Sequence, residues 1–424
     1  MASFTILHAA DIHLDSPLRG LERYEGAPVE RIRGATREAF RGLVDLALAE
    51  EARLLLIAGD LHDVDWRDYN TALFFNAQMS RLREQGIQVV LASGNHDAAS
   101  EITRHLQPPD NVAVAPTRRP GRFAFPDLDL VVHAQGFATR HCLESVLGSW
   151  PAAERGALNI GLLHTSAAGH PEHEPYAPCT LEELEALGYN YWALGHVHQR
   201  VILRRAPWIV YPGNLQGRHM REPGPRGAYL VRVDEGRMVA EPEFRALDVF
   251  RWERCEVDLS TCASFGAGLE AVRERIEALL PGVEGRGLAV RVVLMGATPA
   301  HAGLVRDPER VLNELRSAAT DLASDQLWIE SVQCRTRSPV ALADLARRDD
   351  AVGGLLRSLD TLQASPDAAI TAIREALGPL DAKLPTELRH GPDSLVPEGP
   401  EALCALLEEV QQSLAAHLLD EGEA

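Results

Sequence analysis

The sequence predicts an α/β fold in which a functional site forms where strands end. Short apolar runs followed by glycine and small polar residues are typical of buried strands that lead into tight loops. The first half of the chain contains Thr5–Ala10, Leu54–Ala58, Val89–Ala92, Ile160–Leu163 and Tyr191–Leu194, which all have this pattern. Because ligand sites of α/β folds assemble outside the carboxyl ends of the strands, side chains far apart in sequence can meet there in one cleft.

Each of these runs is closed by residues that can bind a metal ion. The motifs are Asp11-Ile12-His13, Gly59-Asp60, Gly94-Asn95-His96-Asp97, His164 and Gly195-His196-Val197-His198. Carboxylate, amide and imidazole ligands without thiolate suit Mn²⁺, Fe²⁺ or Zn²⁺ and argue against a structural zinc site. The candidate ligands are too many for one ion: Asp11, His13, Asp60, Asn95, His164, His196 and His198. We therefore expect two divalent ions that share a bridging carboxylate, an arrangement suited to phosphoryl transfer.

This ordered set of motifs resembles that of the calcineurin-like metallophosphoesterases. More narrowly, it resembles the DNA repair exonucleases of the SbcD type and their YhaO-like branch, because of the flanking stretches from His8 to Leu21 and from Tyr211 to His219. The resemblance covers roughly residues 1–245, and its specificity comes from the whole motif set. It implies a four-layer α/β/β/α sandwich with a small α+β capping domain and a helical C-terminal region.

The resemblance also implies a role for each motif residue. One ion would be held by Asp11, His13 and His198, the other by Asn95, His164 and His196, and Asp60 would bridge them. His96 would stabilise the transition state or protonate the leaving oxygen. Asp97 would orient a histidine or fix its loop, and Asp63 would lie beside the ligands or the substrate. The resembling family usually has an aromatic residue at the position of His62, which is either a packing replacement or an added catalyst.

The charge balance looks unfavourable for a protein that binds DNA, because 61 acidic residues against 42 basic ones give a net charge of −19. The excess is uneven, since residues 341–424 hold 16 acids and 6 bases. Arginines lie near the motifs, and lysine is nearly absent, so phosphates would be gripped by guanidinium groups. Our candidate substrate contacts are Arg19, Arg200, Arg218 and His219, although such arginines are often only solvated loop residues.

Length and periodicity predict three parts: residues 1–248, a compact α+β unit at 249–337, which the resemblance implies is the capping domain, and a helical region at 338–424. The capping domain is predicted as strand Phe250–Leu259, helix Phe265–Leu280, strand Leu288–Met295, helix Pro308–Leu322 and strand Leu327–Arg335. The last predicted helix, Pro400–Leu419, carries an apolar stripe of Leu403, Leu407, Val410, Leu414 and Leu418. This stripe either packs on its own domain or docks a partner, which the resemblance implies is a coiled-coil, SMC-like ATPase.

Cysteine usage and the N-terminus indicate the cellular compartment. The six cysteines have irregular spacings without a Cys-x-x-Cys motif, which fits reduced thiols. A strand is predicted within a few residues of Met1, and no apolar run approaches the length of a membrane span. We therefore expect a cytoplasmic protein with no membrane association.

The sequence thus favours a metal-dependent phosphodiesterase, a DNA exonuclease of DNA repair that uses two divalent ions, most simply Mn²⁺. Its expected partners are DNA, an SMC-like ATPase and a second copy of the chain in a homodimer. One alternative is a phosphoesterase that acts on a small molecule or a phosphoprotein. The other is a non-catalytic scaffold that keeps the fold to hold an ATPase on DNA.

Overall fold

The structure is a computed structural model that describes residues 3–16, 18, 26–63, 69–99, 108–167, 176–234, 237–238, 241–339 and 342–363, and positions 371, 373, 375–379, 383, 406, 410 and 411. By contacts, the chain divides into a first unit, Met1–Glu253 with Val283–Ala289, and a second unit, Arg254–Gly282 with Val290–Ala424. The division into parts at 1–248, 249–337 and 338–424 stays a prediction.

The first unit is built on two sheets. The strands are β1 (Phe4–Ala9), β2 (Leu54–Ala58), β3 (Gln88–Ala92), β4 (Val112–Val114), β5 (Gly121–Phe125), β6 (Leu130–Gln135), β7 (Leu158–His164), β8 (Tyr191–Gly195), β9 (Val201–Arg205), β10 (Trp208–Tyr211), β11 (Gly227–Asp234), β12 (Arg237–Met238) and β13 (Glu243–Ala246). The first sheet has the order β12-β11-β1-β2-β3-β4, with β13 also pairing with β11. The second sheet has the order β5-β6-β7-β8-β10-β9.

Parallel pairing brings the relevant strand ends to one edge of each sheet. Strands β1 to β4 are mutually parallel, and so are β6, β7, β8 and β10. The five runs predicted from the sequence are β1, β2, β3, β7 and β8, with ends that differ from the prediction by at most two residues. All of them are buried on both faces, which explains why they are continuously apolar rather than alternating.

The layers follow from the two-residue period of a strand, as β2 illustrates. Leu55 and Ile57 pack in one cluster with Phe40 and Phe75 of the helices α1 (Val29–Ala49) and α2 (Tyr69–Glu84). The alternate residues of β2 pack instead against the second sheet, where Leu56 shares a cluster with Ile160. The outer face of the second sheet is covered by α4 (Leu181–Ala186) and neighbouring loops, while α3 (Asn95–Ala99) follows β3. This confirms the predicted α/β/β/α sandwich.

The second unit contains most of a three-stranded sheet, β14 (Phe250–Asp258), β15 (Gly287–Ala297) and β16 (Leu327–Arg337), in that order. Its helices are α5 (Phe265–Glu277), α6 (His301–Arg306), α7 (Pro308–Ala323), α8 (Leu342–Ala346) and α9 (Ala351–Gln363). Asp307 caps α7 by accepting the backbone N–H of Arg310, as expected for an aspartate ahead of proline. Most of the predicted helix Pro400–Leu419 lies outside the described residues. Among the helices described, none has the length and apolar character to cross a membrane.

Candidate metal centre

The structure brings all seven candidate ligands together at the strand ends. Asp11 and His13 follow β1, Asp60 follows β2, Asn95 begins α3 after β3, His164 ends β7, and His196 and His198 follow β8. The loops after β1 and β2 continue the pairing of their strands, because the backbone N–H groups of Asp11 and His13 donate to the carbonyl oxygens of Gly59 and Asp60 at 3.1 and 3.0 Å. The convergence is therefore a consequence of the parallel sheet order.

Glycines allow these loops to approach so closely. A Cβ atom on Gly195 would lie 1.8 Å from the carbonyl oxygen of Ala58, and one on Gly94 would lie 2.2 Å from Oδ1 of Asp60. The loops are also strained, since the ligand residues Asp11, His13, Asp60 and His196 have φ angles of 49°, 48°, 50° and 103°. Left-handed backbone at non-glycine residues is uncommon and concentrates at functional sites.

The first cluster consists of Asp11, His13 and His198, the set proposed for one ion. The His13 and His198 rings meet edge-on with their Nε2 atoms 3.2 Å apart, and Nε2 of His198 lies 3.9 Å from Oδ1 of Asp11. Nδ1 of His13 donates to Oδ1 of Asp63 at 2.7 Å, and Nδ1 of His198 donates to Oε1 of Glu222 at 2.7 Å. Because an ionised carboxylate can only accept, each neutral imidazole keeps its proton on Nδ1 and directs its Nε2 lone pair inward.

The second cluster consists of Asp60, Asn95, His164 and His196. Nδ1 of His164 donates to the carbonyl oxygen of Ala58 at 2.9 Å, while its Nε2 lies 2.9 Å from Oδ1 of Asn95. Oδ2 of Asp60 lies 3.5 Å from Nε2 of His164 and 3.9 Å from Nε2 of His13, so this carboxylate stands between the two clusters, as a bridging ligand would.

His196 joins the second cluster through its ring and the first through its backbone. Its N–H donates to both carboxylate oxygens of Asp11 at 3.1 Å. Its ring centroid is 5.2 Å from that of His164, and Tyr176 stacks on it at 5.7 Å and 30° while also lying 5.8 Å from the His164 ring.

The donor set fits divalent cations. Pairs of lone-pair donors, such as Nε2 of His13 and of His198, face each other at distances that are repulsive without a cation between them. Burial, together with the charge of Asp60, raises the pKa of Asp11 well above its ordinary value. Burial likewise raises the pKa of Asp60 to about 6. A bound cation would favour the ionised form of both groups and so remove this penalty.

His96 occupies a different position from the ligands. Its Nδ1 lies 3.1 Å from Oδ1 of Asp63, and 32% of its side chain is exposed, whereas the His13 and His164 side chains are fully buried. Burial acts to lower the pKa of His96, but the hydrogen bond to Asp63 and the charge of Asp60 raise it above its ordinary value. His96 therefore lies at the accessible side of the centre, beside a carboxylate that favours its protonated form.

Asp97 holds the loops rather than facing the cleft. Its carboxylate accepts the backbone N–H groups of Leu61, His62 and Gly94 at 3.1, 2.9 and 3.0 Å. Its Oδ1 also lies 3.7 Å from Nδ1 of His62, so the geometry is compatible with both roles suggested for Asp97, fixing the loop and orienting a histidine. The ring of His62 is 1% exposed and meets the edge of Phe75 at 6.5 Å, an arrangement that corresponds to a packing replacement for an aromatic side chain.

The candidate substrate contacts lie in different environments. Arg218 is largely buried, with Nη2 3.1 Å from Oε1 of Glu222 and Nη1 3.7 Å from Oδ2 of Asp63. The side chain of His219 is 53% exposed. The guanidinium of Arg200 lies over the ring of Phe244 at 4.0 Å. Arg19 lies outside the described residues.

Sequence reasoning did not single out Glu222 or Tyr176. Glu222 ends a stretch of basic residues that is typical of a loop. Only the fold shows that it is 4% exposed and bonded to a ligand imidazole. Tyr176 follows an undescribed segment, and the sequence carries no pattern that pairs it with His196.

Comparisons with known proteins agree with this geometry. Residues 4–200 match the calcineurin-like phosphoesterase family, and residues 252–337 match the middle domain of the metallophosphoesterase YhaO. The uncharacterized metallophosphoesterase YhaO of Bacillus subtilis is 32% identical over 367 residues, which cover 85% of this chain and 88% of that protein.

More distant similarity extends to DNA double-strand break repair proteins named Mre11. The Methanopyrus kandleri protein is 27% identical over 328 residues, covering 69% of this chain and 65% of that protein. The Saccharolobus solfataricus protein is 26% identical over 243 residues, covering 53% of this chain and 59% of that protein. The chain therefore spans somewhat less than two thirds of the length of these Mre11 relatives.

Proposed function

Since the chain belongs to the calcineurin-like metallophosphoesterases of the YhaO family, we propose that it is a DNA exonuclease that hydrolyses phosphodiesters with two divalent ions. The observation that carries the proposal is the pair of facing lone-pair clusters bridged by Asp60, with His96 held beside them. Two-metal sites of this kind stabilise both the attacking and the leaving oxygen of an in-line displacement.

The protein's own residues divide the work. When bound, the two ions would activate the attacking water and neutralise charge on the phosphoryl oxygens. His13, His198 and His164 would present fixed Nε2 atoms, because hydrogen bonds to Asp63, Glu222 and Ala58 hold their rings. His96 would hold a proton at the exposed side of the centre, where the leaving oxygen of a bound strand can reach it.

DNA is the proposed substrate because of the similarity to proteins named for DNA double-strand break repair. Contacts to the phosphate backbone are sufficient for an exonuclease that needs no base readout. Manganese is the proposed ion, since the carboxylate and amide oxygens of the donor set suit it. Metal-dependent DNA degradation would also distinguish a DNA exonuclease from a phosphoesterase that acts on a small molecule or phosphoprotein.

The test is cleavage of end-labelled single- and double-stranded DNA, and of bis-p-nitrophenyl phosphate, by metal-free protein titrated with Mn²⁺. We expect metal-dependent degradation that Asp60→Ala abolishes. The matched control is Asp248→Asn, which neutralises a buried aspartate paired with Arg251 outside the centre and should keep activity. Hydrolysis of the small diester without DNA cleavage, together with DNA affinity that does not depend on salt, would contradict the proposed substrate.

We further propose that an SMC-like ATPase docks on the helical region after residue 338, where acids outnumber bases. An acidic surface would suit a partner with basic charge at its docking face. The side chain of Val410, a member of the predicted apolar stripe, is 40% exposed. Co-purification of the full chain with a coiled-coil ATPase should be lost in Val410→Asp. Light scattering of the free chain would test the proposed homodimer.

A further inference from the structure

Three largely buried charged side chains form a row beside the first metal cluster. Arg218 lies between Asp63 and Glu222, at 3.7 Å from Oδ2 of the former and 3.1 Å from Oε1 of the latter. The side chains of Arg218, Asp63 and Glu222 are 12%, 13% and 5% exposed. Each carboxylate also accepts the Nδ1–H of a ligand imidazole, Asp63 from His13 and Glu222 from His198.

We propose that Glu222 and Arg218 are positioning residues of the metal centre. Glu222 fixes the ring of His198, and Arg218 holds Glu222 and Asp63 together so that the Nε2 atoms of His198 and His13 face the same ion. This inference rests on the proposed two-metal function and assigns two residues to one of its ions.

Glu222 is held rigidly enough for this role. Its Oε2 accepts the side-chain amide of Asn214 at 2.8 Å and the backbone N–H of Arg218 at 2.8 Å, while Oε1 is left for His198 and the guanidinium of Arg218. Asn214 is fully buried and accepts Nη1 of Arg226 at 3.0 Å. Because both oxygens are already bonded on fixed partners, the direction of the His198 ring is set before any ion binds.

The geometry favours this role for Arg218 over a contact with substrate phosphate. Both of its terminal nitrogens already face carboxylates and its side chain is 12% exposed, so a phosphate would have to compete with Glu222 and Asp63 for a guanidinium that is largely shielded from water. One guanidinium between two carboxylates also leaves a net negative charge next to the ligands. The row therefore orients the imidazoles without repelling the cation that they bind.

The test is calorimetric titration of metal-free protein with Mn²⁺ in the absence of substrate. We expect two binding steps in the natural protein, and an affinity loss of about 10–100-fold in one step for Glu222→Ala and Arg218→Met. Glu222→Gln should lose less, because its amide oxygen can still accept from His198. The matched control is Glu330→Gln, a buried glutamate bonded to Arg291 at 2.8 Å in the second unit, which should keep both steps.

The double variant Arg218→Met/Glu222→Gln separates positioning from a simple loss of folding. Arg218→Met leaves two carboxylates without their cation, and Glu222→Gln removes one of these charges, so the double variant should regain thermal stability relative to Arg218→Met. If lost orientation of the ligand imidazoles causes the weaker binding, the double variant should still bind one Mn²⁺ weakly. Full recovery of Mn²⁺ affinity together with stability would overturn the proposal.

Kinetics with bis-p-nitrophenyl phosphate give the second readout. At saturating Mn²⁺, Arg218→Met should keep the natural KM, because the residue acts through the ligands. A raised KM with unchanged Mn²⁺ affinity would make Arg218 a phosphate contact and overturn the inference. The metal titration contains no DNA, so it tests the positioning role separately from DNA cleavage. Natural protein that binds two Mn²⁺ but degrades no DNA would contradict the proposed function, and the titration would still decide the positioning role.

Discussion

The partner at Nδ1 decides what each buried histidine can do. In His13 and His198 a carboxylate accepts the hydrogen bond from Nδ1–H, and in His164 a carbonyl oxygen accepts it, so Nε2 is left as a metal donor. In His8 the arrangement is reversed, because Nε2 donates to the carbonyl oxygen of Leu194 and Nδ1 accepts from the hydroxyl of Tyr191. His8 is therefore satisfied by the core and is no ligand, although it lies three residues before Asp11.

The first prediction concerns the proton that His96 holds. If His96 protonates the leaving oxygen, His96→Ala should lower the rate of DNA cleavage about 10²–10⁴-fold and hydrolysis of bis-p-nitrophenyl phosphate much less. The reason is that nitrophenolate leaves without a proton, whereas a sugar oxygen does not. Parallel kcat measurements on both substrates check this, with the exposed His141→Ala as control. Equal losses on both substrates would instead assign His96 to charge stabilisation in the transition state.

The second prediction concerns pH and His8. Burial lowers the pKa of His8 to about 3 from an ordinary value of 6.5, and the hydrogen bond to Leu194 only partly offsets this. Between those values the unfolded chain binds the proton and the folded chain does not, so stability falls as pH drops below about 6.5. At pH 5 the loss should be about 2 kcal/mol relative to neutral pH.

Urea denaturation of metal-free protein at pH 7.5 and pH 5 measures this effect against His8→Gln, which cannot titrate. All other groups are common to both proteins and cancel in the difference. The natural protein should lose about 2 kcal/mol more than the variant. Identical pH dependence in the two proteins would show that His8 is not the group responsible.

Side-chain roles differ in how far they can be predicted from sequence. The seven ligand candidates can be identified, because each sits directly after a strand-like run and the ends of parallel strands meet. The burial of Arg218 cannot be predicted, since an arginine in a loop segment is normally solvated and only the fold places two carboxylates around it. The role of Glu222 cannot be predicted for the same reason, because it depends on a contact with His198, 24 residues away in the sequence.

Strands and helices are set by local pattern wherever burial is uniform. Strand β2 is predicted at its observed bounds, and the main elements of the second unit are within three residues of prediction. The helix α6 is missed because six residues that begin at His301 are too few to show a helical period. The order of strands in the sheets cannot be predicted, since pairing between distant strands leaves no mark in the local pattern.

The third prediction concerns the packing of β8 against β2. In Gly195→Ala the new Cβ would lie 1.8 Å from the carbonyl oxygen of Ala58, a rigid backbone atom, so the two strand ends must separate. This should destabilise the first unit by roughly 2–4 kcal/mol and weaken Mn²⁺ binding, because His164 and His196 flank the contact. Thermal unfolding and Mn²⁺ titration measure both effects.

The matched control is Gly34→Ala in α1, where a Cβ meets nothing within 4 Å. Alanine there should stabilise the helix by about 0.5–1 kcal/mol, since glycine costs more conformational entropy on folding. Wild-type stability and metal affinity in Gly195→Ala would refute the close approach of the two strands.

Considered across the first unit, the centre reduces folding stability in exchange for a binding site. Two fully buried aspartates, four non-glycine residues with positive φ and several facing lone pairs occupy one cleft. The buried charges and facing lone pairs are unfavourable without a cation, and the backbone strain is unfavourable in either state. The apolar layers around both sheets offset these costs. The same residues that limit stability are therefore those that bind the metal.

The last prediction follows from this trade-off and uses Asp60→Asn. Asparagine has nearly the same shape, and its Oδ1 can still accept the backbone N–H of His96, which now reaches Asp60 at 2.9 Å. Because burial raises the pKa of Asp60 to about 6, the ionised carboxylate is unfavourable at pH 7.5. Metal-free Asp60→Asn should therefore be more stable by about 1 kcal/mol or more, a rise in Tm of roughly 2–4 °C.

With Mn²⁺ present the order should reverse. An ion that binds only the folded state at 100 times its Kd adds about 2.7 kcal/mol to the natural protein. The variant lacks the bridging charge between His13 and His164 and should gain little. Thermal scans in chelator and in Mn²⁺ measure both orders. A variant that melts below the natural protein in chelator would show that Asp60 stabilises the metal-free fold, and that its burial carries no cost for the ion to relieve.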